Sequence, residues 1–346
     1  MGDGRRRLMA SVAVSYVQSV LDYVGQAGGN PDAVLDAAGV SPDALANSAG
    51  RIEAGLFARL FDVAAEQLDT PDLGLAVGSA IRPGHYGVLG YVVMSCETLG
   101  EALTRHLRYQ RLVADIGEAQ LLGLPDGQLR LMWVTSKPPT RQLAEHNLAG
   151  WVSYARWITG QALSPTRVLL PHCAPADRRA HDALFACPIS FDAGMTALEF
   201  PGAYLGLRMT QADPGLREQM DRYARRLLTE YAQSRGAAGQ LRHWLRRHLT
   251  AGDAQLATAA AALEVAPRTL QRRLAGEGWT FNRLVDDTRR QLALELFTEP
   301  GMTGAELAFM LGFSDQTAFN RAFRRWFDMT PGEARNQPER LLASRG

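Results

Sequence analysis

The chain has 346 residues, of which 46% are hydrophobic and 21% charged, and a formal net charge of +1. That balance supports two folded domains of ordinary composition and excludes a disordered tail. No apolar run reaches the roughly 20 residues that a bilayer-spanning helix requires, and Tyr86 to Cys96 (YGVLGYVVMSC) falls well short. The three cysteines, Cys96, Cys173 and Cys187, are an odd number at irregular spacing, which argues for reduced thiols over a disulfide framework.

Met1 to Arg7 is basic, but Ser11 to Val24 mixes Gln18, Asp22 and serines into its apolar positions. A secretory signal is therefore not expected, and the expected location is the cytoplasm. The small net charge is divided unevenly. From Gly236 onward there are 15 arginines and 12 acids; before it, 22 basic residues face 24 acidic ones.

From Ser11 to Leu103 the pattern is mainly helical. Asn30 precedes Pro31 and Ser41 precedes Pro42, a cap followed by proline at the first helical position. Leu56, Leu60, Phe61, Ala64 and Leu68 form an apolar stripe that Thr70-Pro71 ends. Leu99 to Tyr109 reads as a further helix. The period then shortens: Glu118 to Leu124 and Gln128 to Thr135, separated by Pro125-Asp126-Gly127, read as a β-hairpin.

Gln142 to Thr159 is again helical. Arg167 to Pro171, Ile189 to Phe191 and Ala197 to Phe200 are short strand candidates. The first 232 residues are thus expected to form an α+β domain with a sheet of four or more antiparallel strands. Within it Tyr91, Arg108, Tyr109, Trp133 and Trp151 are candidates for contacting a small molecule, being aromatic or cationic and near predicted sheet edges.

Asp213 to Tyr231 reads as a helix. Its Leu216, Met220, Tyr223 and Leu227, spaced four, three and four apart, could form a seam between two subunits or pack within one. Residues 233–239 lack an apolar face and are expected to be a linker.

Residues 240–340 are expected to be all-α. Gln240 to Leu249 is amphipathic through Leu241, Trp244, Leu245 and Leu249. Ala254 to Ala262 followed by Pro267 to Leu274 forms one helix-turn-helix, and Phe281 to Phe297 is a long connecting helix. In a second unit, Ala305, Ala308, Phe309 and Leu311 recur at helical spacing and Gly312 supplies the turn. Ser314 or Asp315 then caps a helix whose Phe319, Phe323, Trp326 and Phe327 share one face. Thr303 with Glu306 and Thr330 with Glu333 have capping-box spacing.

The run from Arg289-Arg290-Gln291-Leu292-Ala293 through Leu311-Gly312-Phe313-Ser314 and Phe319-Asn320-Arg321-Ala322-Phe323 to Thr330-Pro331 resembles the C-terminal signature of the AraC/XylS family of bacterial transcription regulators. More loosely, Gly87 to Leu103 and Phe191 to Leu205 resemble the effector domain of its OruR and VirS branch. The resemblance implies a DNA-binding regulator with a domain that senses a small molecule and dimerises. It leans toward an activator that engages RNA polymerase.

Carried over position by position, the resemblance directs Arg268, Gln271 and Arg272 in the first unit, and Gln316, Thr317, Asn320 and Arg321 in the second, at base edges. It gives phosphate contacts to Arg273, Arg324 and Arg325. Arginine suits guanine O6 and N7, and glutamine or asparagine suits adenine N6 and N7. The first unit departs from the family pattern, with Glu264 in place of the turn glycine and Ala266 in place of the serine cap. Which unit dominates base readout stays open.

His172, Cys173, His181 and Cys187 match no standard zinc spacing, so no metal or other cofactor is expected. The sequence has no nucleophile elbow, phosphate loop or dinucleotide fingerprint. The rival readings are a DNA-binding module without a ligand and an enzyme fused to a DNA-binding domain.

Overall fold

The computed structural model describes residues 10–47, 50–250, 254–297 and 302–336; the basic Met1 to Arg7 and the last positions of the expected DNA-binding domain, 337–340, lie outside these. The chain divides into two compact units, Met1–Thr229 and Glu230–Gly346.

In the first unit β1 (Ser11–Ala13) pairs antiparallel with β2 (Arg51–Glu53). Three-residue strands are too short to show a period of two, and neither was expected from the sequence. Helix α1 (Val14–Gln26) buries Tyr16, Val17, Val20 and Val24. Helix α2 (Pro31–Ala38) begins as expected, with the Asn30 side chain accepting from the N–H groups of Asp32 and Ala33. At α3 (Pro42–Ala46), Ser41 occupies the cap position without a side-chain cap bond. Helix α4 (Ala54–Gln67) buries Phe57 together with the expected Leu60, Phe61 and Ala64.

Helices α5 (Leu73–Ser79), α6 (Val88–Met94) and α7 (Leu99–Tyr109) follow. Next comes a hairpin, β3 (Gly117–Gly123) and β4 (Gln128–Thr135), in register from Gly117–Thr135 to Gly123–Leu129. Helix α8 (Arg141–Thr159) packs against α5, and glycine permits the approach: a Cβ on Gly74 would lie 2.3 Å from the Gln142 carbonyl oxygen.

Strands β5 (Arg167–Leu169), β6 (Ile189–Ser190) and β7 (Thr196–Pro201) complete a five-stranded sheet of order β3-β4-β7-β5-β6. All its pairs are antiparallel except β5 with β6. Helix α9 (Arg179–Phe185) lies between those two strands in sequence and makes their connection a crossover, which returns the chain in the same direction. Leu131, Val168, Leu198 and Phe200 of the sheet pack with Leu148 and Val152 of α8 in one buried cluster.

Helix α10 (Pro214–Arg235) contains the boundary between the two units. It is followed after Gly236 by α11 (Ala237–His248), so the expected linker at 233–239 is helical on both sides of one glycine. Ala237 and Ala238 are buried, and the Glu277 carboxylate accepts from their N–H groups at 2.7 and 3.0 Å. The stretch has a buried face after all, made of alanines, and its cap lies 40 residues away.

The remaining helices are α12 (Leu256–Ala262), α13 (Pro267–Gly276), α14 (Phe281–Phe297), α15 (Gly304–Met310), α16 (Gln316–Phe327) and α17 (Pro331–Asn336). They build two cores. Leu241, Leu245, Leu270, Leu274 and Leu284 belong to one; Leu307, Leu311, Phe319 and Phe323 belong to the other. Leu292 of α14 packs against both, which ties the two helix-turn-helix units to a single helix.

Candidate nucleic-acid interface and effector cavity

Helices α12 and α13 form the first unit. Glu264 occupies the left-handed region at φ +52°, and Ala266 stands at the N-cap of α13 without a side-chain bond, ahead of Pro267. Leu270 and Leu274 face inward, whereas Arg268, Gln271, Arg272 and Arg273 are all exposed.

In the second unit, formed by α15 and α16, the Thr303–Glu306 capping box is present. Leu307, Ala308 and Leu311 are buried. Ala305 and Phe309, expected on the inner face, are exposed, Phe309 at 65%. The reason is phase: inward positions three and four apart from Leu311 fall on Ala308 and Leu307. Gly312 takes φ +69°, and a Cβ there would lie 2.1 Å from the Leu249 carbonyl oxygen, so both conformation and space require glycine.

Asp315 caps α16 by accepting from the Ala318 N–H at 2.7 Å, and the Ser314 hydroxyl donates to the same carboxylate at 3.0 Å. The Ala318 N–H, with Ser314 and Arg321 adding, holds this carboxyl below its ordinary pKa. Phe319, Phe323 and Phe327 are buried and Trp326 is half-buried. Gln316, Thr317, Asn320, Arg321, Arg324 and Arg325 are exposed. Arg325 forms an ion pair with Asp286 of α14, which also accepts from Trp326 Nε1 at 3.0 Å.

Arg289, known from the sequence only as part of a signature, anchors the turn between these helices. It donates to the carbonyl oxygens of Leu311 and Gly312 and lies over the Phe313 ring, 4.6 Å from its centroid. Beside the core of the first helix-turn-helix, Arg242 of α11 pairs with Asp287 of α14 at 2.8 Å and lies 4.6 Å over Trp279. Two faces of exposed arginines and amides therefore rest on apolar cores cross-linked through α14.

The first unit of the chain contains a cavity of about 120 Å³ among α6, α7, α8 and the strands β4 and β7, with Leu89, Leu103, His106, Trp151, Leu198 and Phe200 in its wall. A smaller one of about 50 Å³ is lined by His106, Trp133, His146 and Trp151. Of the five effector candidates, Trp151 lines both cavities and Trp133 lines the smaller. Tyr109 is fully buried and its hydroxyl donates to Asp221 Oδ1 at 2.8 Å, tying α7 to α10. Tyr91 and Arg108 are exposed and line neither cavity. His106 lines both cavities, and its ring contact with Trp151 joins residues 45 apart, beyond the reach of any local sequence pattern.

Among the seam residues on α10, Met220 packs on the core of the first unit, Leu216 and Leu227 are half-buried, and Tyr223 is 50% exposed. The helix turns Asp221 and Ala224 inward, so the seam is split between core and surface.

His172 and His181 do converge, though with Glu145 in place of the cysteines. His181 Nε2 lies 2.7 Å from Glu145 Oε1 and His172 Nε2 lies 3.4 Å from it. Arg141 donates to both Glu145 and Asp72. Facing carboxylates are thus bridged by a guanidinium, and the cluster links α5, α8 and α9 as an ionic network.

Residues 28–209 match the family described as the arabinose-binding domain of AraC transcription regulator, N-terminal, and residues 259–337 match a helix-turn-helix domain family. The chain is 32% identical to the ornithine utilization regulator of Pseudomonas aeruginosa, covering 94% of this chain and 97% of that protein. It is 27% identical to the regulator VirS of Mycobacterium tuberculosis, covering 81% and 83%. The crystal structure of the transcriptional regulator CdpR from Pseudomonas aeruginosa covers 93% of this chain and 98% of that one, at 22% identity and a TM-score of 0.44. With an effector-type domain ahead of two helix-turn-helix units, the chain belongs to the AraC family of DNA-binding transcription regulators.

Proposed function

We propose that α13 and α16 enter successive major-groove segments on one face of double-stranded DNA. In this reading Arg268, Gln271, Arg272, Gln316, Thr317, Asn320 and Arg321 meet base edges, while Arg273, Arg324 and Arg325 meet phosphates. The observation that carries it is the exposure of these ten side chains on two helices whose opposite faces are packed into cores sharing α14. At 17 residues, α14 is roughly 25 Å long, suited to holding two helices that must lie about 34 Å apart along B-DNA. Arg325 reaches a phosphate only by leaving or sharing Asp286, so its contribution is the smallest of the three.

The domain of residues 1–232 senses a small molecule in the cavity beside Trp151 and, as a homodimer, passes the signal to residues 240–340. The chain acts as an activator that contacts RNA polymerase in the cytoplasm, and its role is regulatory, not catalytic. A ligand can shift the balance between two domain arrangements only by its differential affinity for them. The test is a titration of promoter fragments with and without candidate metabolites. The sensor reading requires that one of them change DNA affinity and lose that effect when the cavity is filled.

A further inference from the structure

The larger cavity, at about 120 Å³, has room for roughly ten non-hydrogen atoms at about 10–15 Å³ per water-sized position. No aspartate, glutamate, lysine or arginine stands among its lining residues. Two of its three tyrosines are engaged: the Tyr154 hydroxyl donates to the Gly90 carbonyl at 2.8 Å, and the Tyr204 hydroxyl to the Ser164 carbonyl at 3.3 Å, whereas Tyr86 has no hydrogen-bond partner among the described residues.

His106 is also unengaged. Its ring stands edge-on to Trp151 with centroids 6.0 Å apart, and it has no hydrogen-bond partner among the described residues. Burial lowers its pKa to about 4. Near neutral pH it is therefore an uncharged imidazole offering one donor and one acceptor.

We propose that this cavity takes an uncharged, mainly apolar small molecule bearing a single hydrogen-bonding group for His106, an inference that rests on the sensor reading above. A free amino acid is the wrong chemistry. Its ammonium and carboxylate would be buried against a wall that offers neither a countercharge nor enough hydrogen bonds, and an unpaired charge in such surroundings is strongly disfavoured. The relative concerned with ornithine utilization is 32% identical over nearly its whole length. Even so, the cavity here does not suit a diamino acid.

The probes are 1-octanol, octanoate, octylammonium and L-ornithine, titrated calorimetrically into the full chain at about pH 7, where the last three are charged. The account predicts that 1-octanol binds at least about tenfold more tightly than either charged analogue. It also predicts that His106→Phe weakens 1-octanol about fivefold. Ala155→Leu, which fills the cavity, should abolish binding; if that variant does not melt cooperatively, Ala102→Val gives the same comparison with one methylene less.

Equal or tighter binding of octanoate or octylammonium, or no binding of 1-octanol, would overturn the inference. Saturable L-ornithine binding that changes DNA affinity would also overturn it while leaving the sensor reading intact. Conversely, 1-octanol bound in the cavity with DNA affinity unchanged supports the cavity's chemistry and counts against the sensor reading alone.

Discussion

Arg289 donates its guanidinium N–H to the carbonyl oxygen of Gly312 at 2.7 Å, across the 23 residues that separate α14 from the turn of the second helix-turn-helix. A second bond to Leu311 at 2.9 Å and the face of Phe313 complete the clamp. Burial lowers the pKa of Arg289, yet its charge persists because arginine titrates so far above neutrality. Replacing it leaves two carbonyls without their donors. Arg289→Ala is expected to destabilise the second helical core by roughly 2–3 kcal/mol, read as a shift in the chemical-denaturation midpoint. An unchanged midpoint would remove Arg289 from the account.

The base-facing and phosphate-facing arginines separate by assay. Arg272→Ala and Arg321→Ala should each cost about 1–3 kcal/mol at the specific site and relax selectivity at one position. Arg273→Ala and Arg324→Ala should weaken all sequences alike and reduce the salt dependence by about one ion. Fluorescence anisotropy on matched and mutated sites at several salt concentrations distinguishes the two patterns; a uniform loss for Arg272→Ala would move it to the phosphate group.

Glu277→Ala removes the acceptor for two N–H groups at the start of α11. The expected cost is about 1–2 kcal/mol, with α11 fraying at Ala237 and Ala238. Hydrogen exchange at those two amides measures it. Protection equal to the parent chain would mean that packing alone fixes the helix start.

Acid should weaken the compact unit Met1–Thr229. Burial lowers the pKa of His106 to about 4 and that of His146 to about 3, from an ordinary 6.5, with His85 adding to the effect at His146. The unfolded chain therefore binds more protons than the native one between those values. Stability is full above pH 6.5 and falls as pH drops toward 4, by up to about 1.4 kcal/mol per pH unit for each histidine. His146 lies among Tyr16, Phe57 and Phe61, and neither ring nitrogen has a hydrogen-bond partner among the described residues. His146→Phe should flatten the melting temperature between about pH 7 and pH 5, and an unaltered slope would contradict this origin.

What the sequence made legible was local. The bounds of α7 and α14, and the β3–β4 hairpin, follow from periodicity and turn residues within short windows. So does the exposure of Arg272 and Arg321, each two residues and hence about half a helical turn from a buried neighbour, Leu274 and Phe319. What was not legible depends on partners distant in the chain. Residues 233–239 look like a linker until Glu277 supplies the cap and the first helical core buries two alanines. Tyr109 looks like a ligand contact until Asp221, 112 residues on, accepts from its hydroxyl. His106 carries no motif at all; its place in the cavity wall comes from the meeting of α7 with α8 and the sheet.

The claim that both helix-turn-helix units read DNA is tested most directly by hydroxyl-radical footprinting. The fragments would be those captured by the full chain at salt high enough to suppress purely electrostatic binding. The account predicts two protected patches per subunit, centred about one helical turn apart on one face of the duplex. One of them should weaken selectively in Arg272→Ala and the other in Arg321→Ala. A single patch, or diffuse protection that disappears with salt, would contradict it.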